Sequence, residues 1–344
     1  MTHTNPITPP LSQPFNIIWL QSGGCSGCTL SFLGLEEMDL IQWSKSLHLQ
    51  WLWHPSLTEH SGEETQSVFN AILNDKQPLH LFCLEGSVIL GPNGTGTFHQ
   101  MAGMEVATKD LIQQLAKKAH TVMAVGTCAA YGGITASAPN LVEATGLQFD
   151  QSFAGSLLPA DFTSPSGLPV VNVSGCPVHP AWVAETIGLI RFGKLQADDL
   201  DPLNRPRFFA DKLVHHGCNR NEYYEYKASA EKASDLGCMM ENLGCVGTVA
   251  HADCNERPWN GQGSCTSGGY PCIDCTAPDF GHRKHDYQTT PKIGKIPIGL
   301  PSDMPKAWFI ALSTLAKSAT PERLKINATQ DHIEISPEIK RKKL

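Results

Sequence analysis

Phe15-Asn16-Ile17-Ile18-Trp19-Leu20-Gln21-Ser22-Gly23-Gly24-Cys25-Ser26-Gly27-Cys28 joins a short apolar run to a glycine-rich turn carrying two cysteines. The run reads as a buried strand, after which Leu30, Phe32, Leu33, Leu35, Met38 and Leu40 recur at roughly helical spacing. The grammar of strand, glycine-rich loop and helix repeats downstream. Leu79–Leu84 is a second apolar run, followed by Glu85-Gly86-Ser87 and an amphipathic helix over Val106–Ala119. Thr121–Val125 leads into Gly126-Thr127-Cys128, and Leu168–Val173 leads into Ser174-Gly175-Cys176-Pro177. A helix over Pro180–Phe192 takes its proline in the first turn, where the missing amide costs nothing.

Strands alternating with helices imply a mostly parallel sheet, whose ligand sites lie at the carboxyl ends of the strands. Cys25, Cys28, Cys128 and Cys176 each follow such a strand, so folding should gather them at one sheet edge as a metal site. The neighbouring glycines let the backbone approach inorganic atoms closely and offer amides to bridging sulfides.

Past Gly193 the alternation stops, and Asp198–Phe209 is a polar, proline-containing connection. The expected organisation is an arm over residues 1–14, an α/β domain over 15–197, a cysteine-rich domain over 198–288 and a C-terminal extension over 289–344. The stretch from His215 to Cys275 holds seven of the twelve cysteines and little periodic apolar sequence, so metal is expected to replace much of a hydrophobic core. Thr289–Pro305 reads as a proline-rich wrap, Lys306–Lys317 as a helix, and Lys340-Arg341-Lys342-Lys343 as a solvated tail.

The net charge of −7 argues against a nucleic-acid backbone or an acidic membrane as main partner. No apolar run is long enough to span a bilayer. The N-terminus offers no basic segment followed by an apolar stretch and cleavage site, so the expectation is a cytoplasmic chain, possibly peripheral to the inner membrane face, with reduced thiols. Reduced thiols at this density are ligands for zinc or for iron-sulfur clusters. Structural zinc usually takes two close cysteine pairs, whereas one Cys-x-x-Cys pair with lone cysteines on separate strands suits a cubane. In the second domain His215, Cys218, Cys238 and Cys245 form one candidate set, and Cys254, Cys265, Cys272 and Cys275 another.

From Phe15 to Phe280 these motifs together resemble the small, electron-transferring subunit of nickel-iron hydrogenases. The resemblance rests on Cys25-x-x-Cys28, Gly126-Thr127-Cys128, Gly175-Cys176-Pro177, His215-x-x-Cys218 and Pro271-Cys272-Ile273-Asp274-Cys275. It implies a flavodoxin-like first domain and an irregular iron-sulfur second domain. It further implies a proximal 4Fe-4S cluster on Cys25, Cys28, Cys128 and Cys176, and a distal 4Fe-4S cluster on His215, Cys218, Cys238 and Cys245, with one more residue between the last two than the family pattern. The common medial 3Fe-4S pattern matches Cys254, Cys272 and Cys275, but Cys265 stands where family members carry proline, so a medial 4Fe-4S cluster is expected.

The matching positions for two extra cysteines of some oxygen-tolerant members are Gly27 and Gly133, so their unusual proximal cluster is not expected. Glu85 matches a family glutamate and reads as a proton or subunit contact or, equally, a capping carboxylate; Cys83 reads as a small buried apolar residue. No residue of this chain reads as a catalyst. The resemblance places hydrogen activation on the nickel-iron centre of a large subunit in an obligate heterodimer, with electrons leaving for a quinone or other redox carrier. Alternatives are a hydrogen sensor signalling to a histidine kinase, a quinone-reducing respiratory subunit and a structural zinc protein.

Overall fold

The computed structural model describes residues 12–35, 38–259, 261–282, 289–294, 296–297, 300–301 and 305–337. The arm expected over 1–14 falls mostly outside the described residues, and the basic tail at 340–343 falls wholly outside them. The chain divides into two compact units, one of residues 1–210 with 275–283, the other of 211–274 with 284–344. The division thus falls later than the expected 197/198, and a short return segment beginning at Cys275 belongs to the first unit.

In the first unit β1 (Phe15–Gln21) is followed by α1 (Gly27–Leu33), α2 (Leu40–Ser46), β2 (Leu49–Trp53), α3 (Gly62–Leu73) and β3 (Leu81–Glu85). The short strand β4 (Val88–Ile89) precedes α4 (Thr108–Lys118), β5 (Thr121–Val125) and α5 (Gly126–Tyr131). Three more short strands, β6 (Ala144–Thr145), β7 (Phe149–Asp150) and β8 (Phe153–Ala154), lead to β9 (Val171–Val173) and α6 (Pro180–Arg191). The main sheet runs β2-β1-β3-β5-β9 with every pair parallel, which is the expected flavodoxin-like architecture.

Every residue of β3, β5 and β9 is buried, as in a sheet covered on both faces. Leu111, Ile112 and Leu115 of α4 and Phe69 and Ile72 of α3 pack with Ile18, Phe82 and Val122 of the sheet in one core. The single helix expected after Cys28 is instead two short ones. A helix over Arg207–Ala210 (α7) closes this stretch of the first unit.

The second unit has little regular structure: α8 (Asn221–Glu225), a two-residue pair β10 (Lys292–Ile293) and β11 (Ile296–Pro297), then α9 (Lys306–Ser318) and α10 (Glu322–Asn327). Its apolar clusters are small, one of Tyr224, Met240 and Phe309, another of Ala228, Leu324 and Ala328. No helix among the described residues is long and apolar enough to cross a membrane.

Candidate metal centres

The sheet register sets Gln21 beside Glu85, Glu85 beside Val125 and Val125 beside Val173, so four strands end in one row. The chain leaving that row carries Cys25 and Cys28 after β1, Cys128 after β5 and Cys176 after β9. Cross-links fix these turns. Thr127 N donates to Gly175 O at 3.0 Å, Gly175 N donates to Thr127 Oγ1 at 2.9 Å, and Ser31 Oγ donates to Val178 O at 2.6 Å. Gly126 sits at φ +84°, and a Cβ there would lie 2.4 Å from Cys28 Sγ, so only glycine lets the β5 turn pass this close to the thiol. Added Cβ atoms would meet Cys25 Sγ at 3.1 Å from Gly27 and Cys128 Sγ at 2.8 Å from Gly133, so both of these glycines flank the same group of thiols.

The thiols interact electrostatically. Burial, then Cys128 and Cys25, pushes Cys176 up to about 11. Cys28 is raised well above an ordinary thiol, chiefly by burial, with Glu85, Cys128 and Cys176 adding to it. Thiols in this state keep their protons at neutral pH unless a metal takes the proton's place, since coordination deprotonates a thiol outright. Glu85 is 3% exposed and accepts from Cys28 N and Thr29 N on Oε1, both at 3.0 Å. Its Oε2 accepts from Trp19 Nε1 at 2.9 Å, Gln21 Nε2 at 3.1 Å and the Thr29 hydroxyl.

In the second unit His215, Cys218, Cys238 and Cys245 line one small cavity. Burial pushes Cys238 up to about 12 and raises Cys245. Arg220 N donates to Cys218 Sγ at 3.4 Å. The Arg220 guanidinium, 8% exposed, donates to the carbonyls of Thr266, Asp235 and Gly237 at 3.1, 2.6 and 2.7 Å. The only sequence signal for Arg220 was its place two residues after Cys218. His215 and Tyr224 rings lie 5.1 Å apart, and Tyr224 and Cys238 also line a solvent-open cleft of about 760 Å³ with Lys227 and Phe309.

Cys254 is pushed up to about 12 by burial, then by Cys265 and Asp253, and Cys272 is raised well above the usual range by burial, then by Cys245 and Asp274. Cys272 N donates to Cys245 Sγ at 3.3 Å. Cys265 is exposed. Cys275 lies in the first unit, where its carbonyl accepts from Thr127 Oγ1. Cys83 is fully buried in β3.

Among the described residues no group of three or more His, Cys, Asp or Glu converges closely enough to hold a single metal ion. Cys218, Cys238 and Cys245 line one cavity with His215, and glycine backbone lies against the sulfurs of Cys25, Cys28 and Cys128. That arrangement fits a multi-iron cluster better than mononuclear zinc.

Two family models match the chain. The C-terminal model of the NiFe/NiFeSe hydrogenase small subunit matches residues 210–288, and that of the NADH ubiquinone oxidoreductase 20 Kd subunit matches residues 25–190. The F420 non-reducing hydrogenase I small subunit of Methanosarcina mazei is 32% identical over 285 residues, 77% of this chain and 72% of that protein. The periplasmic NiFeSe hydrogenase small subunit of Desulfomicrobium baculatum is 30% identical over 281 residues, 77% of this chain and 84% of that protein. Among solved structures, an actinobacterial-type NiFe-hydrogenase from Ralstonia eutropha aligns with TM-score 0.74 and 27% identity, covering 90% of this chain and 92% of that one.

Proposed function

Because the chain belongs to the small subunits of nickel-iron hydrogenases, we propose that it relays electrons from hydrogen through three iron-sulfur clusters held by the residues described above. The subunit pairs with a large subunit that holds the active site, and together they make the hydrogenase. When bound, the clusters supply one-electron redox chemistry. The observation that carries the reading is the pair of ligand sets, Cys25, Cys28, Cys128 and Cys176 after three parallel strands, and His215, Cys218, Cys238 and Cys245 around one cavity.

Each part of the chain has a role in that relay. The turns after β1, β5 and β9 hold the proximal group, locked by the Thr127 and Gly175 bonds. Cys254, Cys265, Cys272 and Cys275 hold the medial group as a 4Fe-4S cluster, with a thiolate where a three-iron site has none. A neutral imidazole at His215 makes the distal group less negative than an all-thiolate one, because it removes one anionic ligand. The cleft beside Tyr224 and Cys238 is where an acceptor such as a quinone or redox carrier approaches.

Hydrogen uptake is the favoured role, since the similar proteins are named as hydrogenases. A cytoplasmic location gains no support from them, several being periplasmic by name. Iron and acid-labile sulfide in the purified heterodimer test the relay: about twelve sulfides and about thirteen irons are expected, about four of each per cubane plus the iron of the partner's nickel-iron centre. Zinc without labile sulfide would replace the whole reading with a structural one. Rapid turnover with an artificial acceptor supports uptake, while trace turnover and a co-purifying histidine kinase would assign sensing instead.

A further inference from the structure

Among the described residues the Glu85 carboxylate is the one acidic group hydrogen-bonded to the Cys25–Cys28 turn, and its surroundings define what it does there. It lies at the end of β3 on the same face as Trp19 and Gln21 of β1, and takes five hydrogen bonds, from Trp19, Gln21, Cys28 and twice from Thr29. Donors surround both of its oxygens, and at 3% exposure the group offers almost no surface to a partner. All five donors are neutral, and among the described residues no Lys, Arg or His forms an ion pair with it. The nearby His54 does not cancel the charge, because burial holds that imidazole down to about 4 despite the pull of Glu85. A buried negative charge therefore stands behind Cys28, stabilised by dipoles alone.

Two electrostatic consequences follow, and they have the same sign. A cluster becomes more negative when it takes up an electron, so a fixed anion beside it disfavours the reduced form. Amide donors aimed at cluster sulfur favour the reduced form, and the amides of Cys28 and Thr29, at the start of α1, are instead committed to Oε1. Resting on the proximal assignment above, we infer that Glu85 is a positioning residue that sets the Cys25–Cys28 turn and holds the proximal cluster at low potential. A low potential there keeps that cluster close to the hydrogen couple it serves and biases which direction of the reaction the heterodimer favours.

The test is a redox titration of the intact heterodimer followed by EPR, with the proximal signal assigned by its broadening against the partner's paramagnetic nickel. Glu85→Gln should raise the ratio of reduced to oxidised proximal cluster at fixed poise on the order of tenfold, about 59 mV for a one-electron couple. Glu85→Asp keeps the charge and should stay within about twofold of the wild type, about 18 mV on the same scale. Gln21→Lys sets a cation against the same carboxylate without touching the amide bonds, and should shift the ratio in the Glu85→Gln direction.

Wild-type ratios in both Glu85→Gln and Gln21→Lys, with the cluster present, overturn the inference and leave the relay standing. If Glu85→Gln fails to assemble its cluster, Gln21→Lys decides alone. A wild-type heterodimer with no cluster at this site overturns the relay reading and this inference together.

Discussion

Replacing Gly126 with alanine tests the tightest contact in the proximal group. The new Cβ would lie 2.4 Å from Cys28 Sγ, whereas non-bonded carbons rest about 3.5–4.0 Å apart and sulfur is larger. The sulfur must therefore retreat by more than about 1 Å, beyond the roughly 0.5 Å that a preorganised ligand set tolerates. Retreat is blocked, because Cys28 N is held by Glu85 and the next residue, Thr29, by three bonds in all. Alanine at φ +84° adds about 1–2 kcal/mol of backbone strain, and overpacking adds about 1–3 kcal/mol.

Two glycines separate these effects. Gly94→Ala also sits at positive φ, +73°, but its Cβ meets nothing within 4 Å, so it should lose stability without losing iron. Gly27→Ala meets the exposed Cys25 at 3.1 Å, which can give way, and Pro177 Cβ at 3.7 Å, an ordinary contact. Iron, sulfide and EPR on each purified heterodimer should show about four irons missing from Gly126→Ala alone. A Gly126→Ala protein with wild-type iron and an unchanged proximal signal would refute the geometry argued for this turn.

Three further outcomes are expected. His54 titrates near 4 when folded against 6.5 unfolded, so its contribution is fully present above pH 6.5 and falls as pH drops through the folded value, about 2 kcal/mol of it between pH 6.5 and 5. Urea midpoints at those two pH values should therefore converge in His54→Asn relative to wild type. Arg220→Met strands the three carbonyls of Thr266, Asp235 and Gly237, and should cost about 3–5 kcal/mol in thermal or urea melting, with Arg220→Lys recovering part. Cys265→Ser should leave the proximal and distal signals intact and convert the medial signal to that of a three-iron cluster. Unchanged Mössbauer spectra would make Cys265 a bystander thiol.

The sequence disclosed what is encoded at short range. β1, β3 and β5 are mostly apolar runs, and the cysteines follow strands in the chain, so the sheet and the turns that carry the first four thiols were both readable. β2 escaped because only Leu52 of its five residues is buried, which leaves no periodic signal at a sheet edge. α3 escaped although Ser61 and Glu64 form a reciprocal cap, since its apolar residues, Val68, Phe69, Ile72 and Leu73, all fall in its last two turns.

What stayed hidden depends on contacts between residues far apart in the chain. The return of Cys275 to the first unit is made by side chains reaching backbone carbonyls: Thr127 to Cys275, Ser174 to Thr276 and Ser137 to Gly281. None of those residue types announces such a bond from its neighbours. The same holds for charge. Glu85 meets its donors across 56 to 66 residues, and Arg220 meets carbonyls 15 to 46 residues away. Ligand spacing is therefore legible because each cysteine must occupy its own turn whatever surrounds it. The groups that set a cluster's potential act through buried neighbours, and only the folded chain shows which charge stands behind which sulfur.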